Sequence, residues 1–142
     1  MINKIKEVFD NQEIKSMDDD IYKQNILDHF KNPQNLGKIE DAEINSKEFN
    51  PVCGDQVEIS VKLENSKVKD AKFRGQGCAI SMASSSMLTE KLKGMSLEEV
   101  KQLTKEDITE MLGINLGIVR LKCGMLSLSA IKKGIKQMEE SK

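Results

Sequence analysis

From about Glu43 to Gly75 the apolar and polar positions change places with a period of two. Val57, Ile59, Val61 and Leu63 alternate with polar neighbours, as in a strand with one buried face. Asn65 and Ser66 in "ENSK" supply a turn, and Val68 and Phe73 in "VKDAKF" resume the alternation, interrupted at Asp70. A poorer strand precedes them at about Ile44 to Phe49. The pattern predicts three antiparallel strands.

On either side the period is helical. Tyr22, Ile26, Leu27 and Phe30 share one helical face, and the acidic run Asp18, Asp19, Asp20 offers an N-cap. Pro33 and Gly37 in "KNPQNLGK" end that helix. Residues 1–20 read as a polar N-terminal extension in which Ile5, Val8 and Phe9 line at most a short helix. Beyond Cys78, "AISMASSSMLTEKLKG" predicts a helix running to a stop at Gly94. Ser96 in "SLEE" and Thr104 in "TKED" open capping-box patterns. A last helix is expected to start at Cys123, with Leu126, Ala130, Ile131, Ile135 and Met138 at helical spacing. No repeat, low-complexity tract or second boundary interrupts this order, so residues 21–142 are expected to form one domain behind the extension.

Composition narrows the function classes. A chain of 142 residues can build a core without disulfide staples. It carries a net charge of −1, one Tyr, four Phe and no Trp, with no basic run interleaved with aromatics, so no nucleic-acid partner is expected. No apolar run approaches membrane-spanning length, and no membrane partner is expected. The first twenty residues are too charged for a signal peptide and too acidic for a transit peptide, which makes a cytoplasmic location the expectation. Three cysteines, an odd number, then argue for thiol or metal chemistry over a disulfide framework.

Each cysteine falls at a predicted junction. Cys53 lies in the Pro- and Gly-flanked turn of "NPVCGD", Cys78 follows "RGQG", and Cys123 follows "RLK". A first helical turn offers free N–H groups and the positive end of the dipole, which favour thiolate over thiol. Gly54, Gly75, Gly77 and Gly124 leave the backbone bare around all three. One reading makes the three unrelated small hydrophobes, but none stands in an apolar stripe of the sequence. The other brings them into one site. Separations of 25 and 45 residues are unlike the tight pairs of zinc ribbons and ferredoxins, so convergence must come from the fold. Asp55 is either an ordinary turn residue or a fourth ligand, harder and weaker than thiolate, completing a Cys3Asp set around zinc or two irons. His29, the single histidine, is read as structural, at the end of its helix. "ASSS" at 83–86 has neither a neighbouring histidine base nor a GxSxG elbow and is read as packing.

Four segments, "ILDHFKNPQNLGKI", "NPVCGD", "VKDAKFRGQGCAISMASSSMLTEKLKG" and "RLKCGMLSLSAIKKGI", in this order, closely resemble the IscU/NifU-type iron–sulfur cluster scaffold family. The resemblance runs from about Ile21 to Gln137. It implies an α+β fold of the SufE/NifU-like kind, with a three-stranded antiparallel sheet carrying helices on one face. It also implies that Cys53, Cys78 and Cys123 gather at one exposed end beside Asp55, as ligands of a transient [2Fe–2S] cluster, of iron, or of zinc in the resting protein. The implied role is a scaffold and carrier, not a turnover enzyme. Sulfur would come from a pyridoxal-phosphate cysteine desulfurase, with Cys123 the candidate acceptor of the persulfide on a mobile loop. Electrons would come from a ferredoxin-like donor, and the cluster would pass to carriers or apo-proteins.

Two positions depart from the pattern. Scaffolds of the IscU branch carry histidine immediately before the third cysteine, where this chain has Lys122, as in the zinc-dependent sulfur-acceptor branch, SufU. SufU proteins also carry an insertion before that cysteine, and the 45-residue gap here is short, as in IscU. The alternative expectation is therefore a SufU-like zinc-dependent sulfurtransferase, with Lys122 either offsetting thiolate charge or simply solvated. Gly117 and Ile118 replace the two prolines of the IscU loop read by an Hsp70-type chaperone, which makes that partner doubtful.

Overall fold

The structure, a computed structural model, describes residues 11–51, 54–114 and 117–140. Eight elements follow one another: α1 (Asn11–Lys31), β1 (Ile44–Phe49), β2 (Gln56–Glu64), β3 (Lys67–Gln76), α2 (Ala79–Leu92), α3 (Leu97–Lys101), α4 (Lys105–Leu112) and α5 (Ile118–Glu140). The fold is α+β, as the sequence predicts.

The strands form one antiparallel sheet in the order β1-β2-β3. Register puts Ile44 and Ala71 beside Val61, and Ser46 and Phe73 beside Ile59, so the period-two positions share a face. That face is buried against α5, which packs on β1 and β2, and α2, which packs on β3. Gly134 permits the approach of α5, since a Cβ there would press on Ile44 and Ser46. The β2–β3 turn is tight because Asn65 and Ser66 both take the left-handed conformation, as a type I′ turn requires. The pairing slips between Lys62 and Leu63, a bulge that accommodates the interruption noted at Asp70. On the outer face, Lys47, Glu58 and Arg74 stand in a row. The outer edge of β3 is covered by the segment after α1: Phe73 donates its N–H to the Asn35 carbonyl at 2.9 Å, and Gly37 donates to the Phe73 carbonyl at 2.9 Å. That pairing removes an open strand edge.

The capping predictions hold. The Glu99 N–H donates to Ser96 Oγ at 3.2 Å while the Ser96 N–H donates to Glu99 Oε1 at 3.0 Å. Thr104 donates its N–H to Asp107 Oδ2 at 2.8 Å. Gly94, at φ +87°, follows the end of α2.

Three expectations need correction. Among the described residues α1 already runs from Asn11, so Asp18–Asp20 lie inside it and do not start it. The predicted apolar face of α1 is mostly open: Ile26 is buried, while Tyr22, Leu27 and Phe30 are about 40% exposed, at 39%, 42% and 42%. The reason is that α1 packs mainly on a single helix, α2, which covers only a narrow stripe. Tyr22 packs instead at the end of α4, its ring lying where a side chain at position 113 would stand, which requires glycine at Gly113. Third, α5 starts at Ile118 and not at Cys123, because nothing after Gly117 breaks a helix and the Gly117 carbonyl accepts the Leu121 N–H at 2.8 Å. The short helix considered for Ile5, Val8 and Phe9 lies outside the described residues.

Candidate metal centre

The site forms at the end of the sheet away from the β2–β3 turn. Asp55 immediately precedes β2, and Cys78 comes two residues after β3 and caps α2. Antiparallel pairing sets Gln56 opposite Gln76, which brings residues 23 positions apart to the same corner. Cys123 reaches that corner from α5, which lies beside α2. One ligand atom each from Asp55, Cys78 and Cys123 falls within 4.8 Å of the others. Cys53 lies outside the described residues, so the structure joins three of the four expected ligands and is silent on the fourth.

The three differ in exposure. Cys78 is exposed, Cys123 is 4% exposed and Asp55 is 5% exposed. Cys123 therefore departs from its expected setting: it is neither at a helix start nor outside the apolar stripe, but within α5 and part of the hydrophobic core. Of the two, only Cys78 stands at a helix N-terminus, and no N–H of that first turn bonds to its side chain. Lys122 is exposed, and consecutive helical residues diverge by about 100°, so it turns toward water where Cys123 turns inward.

Asp55 is more than a turn residue. Its backbone carbonyl accepts the Asn50 N–H at 2.8 Å, and the Asn50 carbonyl accepts the Gly54 N–H at 2.8 Å, which closes the loop below it. Its Oδ2 accepts the Ser81 hydroxyl at 2.5 Å and the Cys78 N–H at 3.3 Å. Gly77 makes room for the carboxylate, since a Cβ there would come within 3.0 Å of Asp55 Cγ. Gly75 has a different cause: a Cβ at that position would strike the Gln56 carbonyl across the ladder.

The serines of α2 fix the distance between the two cysteine-bearing helices. Ser84 donates to the Gly124 carbonyl at 2.6 Å, and Ser81 also lies 3.2 Å from the Cys123 carbonyl. Ser85 donates back to the Ser81 carbonyl at 2.8 Å. Ser86 lies 2.7 Å from His29 Nδ1 and accepts the Gln34 N–H at 2.8 Å, tying α1 to α2. The "ASSS" run is thus packing with each hydroxyl engaged, and His29 is structural. Ser81 was not singled out in the sequence. The available signal was a small polar residue three positions after a cysteine at a helix start, which places it over the same face.

Two thiols and a carboxylate suit a borderline-soft ion or a cluster iron. Zinc–thiolate bonds of about 2.3 Å put tetrahedral sulfurs about 3.8 Å apart, so side-chain rotations alone would close a group held within 4.8 Å. Beside the site, Arg74 Nε donates to Glu58 Oε1 at 2.5 Å and holds that carboxyl below its usual range. No helix among the described residues is long and apolar enough to cross a membrane.

The family model described as "NifU-like N terminal domain" matches residues 21–142. A protein of Bacillus subtilis named zinc-dependent sulfurtransferase SufU is 37% identical over 138 residues, covering 85% of this chain and 93% of that protein. Archaeoglobus fulgidus has an iron-sulfur cluster assembly scaffold protein IscU 1 that is 40% identical over 115 residues, covering 81% of this chain and 74% of that one. A crystal structure of the N-terminal part of a nitrogen-fixing NifU-like protein from Brucella abortus shares the fold, with a TM-score of 0.71 at 22% identity over 87% of this chain and 98% of that one.

Proposed function

Because the chain belongs to the NifU-like N-terminal domain family, we propose that it is an iron–sulfur cluster assembly scaffold whose cargo is held by Cys53, Asp55, Cys78 and Cys123. The observation that carries this reading is the convergence of Asp55, Cys78 and Cys123, from three separate elements, at one corner of the sheet. Names of relatives at 37–40% identity support it, both as scaffold and as sulfurtransferase. The protein acts as a carrier and turns nothing over.

A PLP-dependent cysteine desulfurase supplies sulfur as a persulfide. A protein thiolate attacks the terminal sulfur, the S–S bond breaks, and the donor leaves as thiolate, with no net redox change. Of the two described thiols Cys78 meets solvent, so first contact falls there. Cys123 takes sulfur once the first turns of α5 open around it. Two sulfane sulfurs need four electrons to become two sulfides: two come from oxidation of the two ferrous ions to ferric, and two from a ferredoxin-like donor. Asp55, the one oxygen ligand, is the bond that yields first when the [2Fe–2S] cargo leaves for an apo-protein or carrier.

The second reading, a zinc-dependent sulfur acceptor, is favoured by the Bacillus relative's name and by Lys122. One anaerobic experiment separates them. The apo-protein is incubated with a cysteine desulfurase, cysteine, ferrous iron and a reductant, and then with an apo-ferredoxin. A visible chromophore that grows on this chain and passes to the ferredoxin is expected. A chain that forms no chromophore, and that accelerates cysteine turnover only once zinc is added back, would be the sulfur acceptor.

A further inference from the structure

Ser81 is 1% exposed and touches all three segments that bear the described ligands. Its Oγ lies 2.5 Å from Asp55 Oδ2, 3.2 Å from the Cys123 carbonyl and 3.7 Å from Cys78 Sγ. A hydroxyl has one proton to give. It cannot donate fully to the carboxylate and to the carbonyl together. The carboxylate contact is shorter and charge-assisted, so it takes the proton. The Cys78 N–H adds a second donor to the same oxygen. Two donors on Oδ2 draw electron density from that oxygen and fix the rotation of the carboxylate about its last bond.

We propose that Ser81 is a positioning residue of the metal centre: its bond to Oδ2 fixes the orientation in which the Asp55 carboxylate meets a bound ion. The inference rests on the reading of Asp55 as a ligand. It adds the element that orients this ligand. When the ion leaves, the carboxylate falls back on a donor already in place, and the buried charge is not left bare. Through its 3.2 Å contact with the Cys123 carbonyl the same hydroxyl joins the oxygen ligand to the helix that carries a thiolate ligand.

The test uses the full chain and Co(II) and Zn(II) as probes. Affinity is read by chelator competition and coordination by the Co(II) spectrum, in wild type, Ser81→Ala, Ser81→Thr, Asp55→Ala and the double variant Ser81→Ala/Asp55→Ala. Loss of a hydrogen bond that orients a ligand weakens metal binding roughly 10–100-fold, and Ser81→Ala is expected in that range. Its d–d bands should shift while the thiolate-to-cobalt charge-transfer band remains. Ser81→Thr, which keeps the hydroxyl, should restore both. In the Asp55→Ala background the serine change should cost nothing further, because its partner is gone. An equal loss in both backgrounds would overturn the proposal and leave Ser81 as packing, as would a Ser81→Ala protein that binds like wild type. If wild type shows no thiolate-to-cobalt band at all, the metal-centre reading itself fails, which is a distinct result.

Discussion

The two ends of the sheet finish their strands in opposite ways. At the β2–β3 turn the bonds run between main-chain groups or between exposed side chains. Asn65 and Ser66 close the turn, the Ser66 carbonyl accepts the Leu97 N–H at 2.8 Å, and the Val68 N–H meets the Met95 carbonyl at 2.8 Å. Its ion pairs, such as Lys62 with Asp41 and Glu43 at 3.3 Å, lie at the surface. At the cysteine end, polar side chains are buried and bond to one another or to buried main chain: Asp55 meets the Ser81 hydroxyl, and that hydroxyl lies beside the Cys123 carbonyl. One end is sealed by main-chain bonds and exposed charges. The other keeps a carboxylate and a thiol out of water, a costly arrangement that persists where something else is to bind.

This contrast predicts which substitutions separate binding from stability. The largest effect belongs to Cys78→Ser. It removes an exposed thiol, so apo stability should stay within about 0.5 kcal/mol of wild type. Metal affinity should fall by more than about 100-fold, beyond what loss of a ligand's supporting hydrogen bond costs. Chelator competition and thermal unfolding of the same sample check both halves. Retained affinity would break the contrast. Next comes Leu92→Ala, at the fully buried end of α2 far from Cys78, which should lose about 2–5 kcal/mol on denaturant unfolding. Metal bound per folded molecule should not change, and a parallel loss would mean that the two ends are one cooperative unit. The smallest effect is acidic. The Ser96 N–H, and then the Ser96 side chain, hold the Glu99 carboxyl below its usual range. A carboxylate with a depressed folded pKa stabilises the protein above its unfolded value near 4.3, and that contribution vanishes as pH falls through the folded value. Glu99→Gln should therefore flatten the acid arm of the stability profile and leave metal affinity at neutral pH untouched.

The same contrast explains what could be read from the chain. The β2–β3 hairpin, the boxes at Ser96 and Thr104 and the stop at Gly94 are local: each is decided within a few residues, and each stands where the pattern put it. The meeting of Asp55, Cys78 and Cys123 was legible through the order of four segments and not through spacing. The start of α5 was misplaced because Cys123 drew attention as a reactive group, whereas the helix answers to Gly117 and the absence of a breaker after it. The apolar residues of α1 were overread because periodicity reports that a face exists, not how wide a neighbour covers it. Ser81 gave no pattern, since its meaning lies in Asp55, which sits on another element.

The serine bonds between α2 and α5 have an evolutionary consequence. Ser81 and Ser84 reach main-chain carbonyls, and every residue carries one. The polar part of the gauge between the two cysteine-bearing helices is thus written on α2. Side chains of α5 can drift, wherever they leave room for that approach, without changing the gap in which the thiols stand. A lineage could remodel the α5 surface for a new delivery partner and keep the binding corner as it was. The same freedom does not extend to α2, where losing one hydroxyl moves the ruler itself.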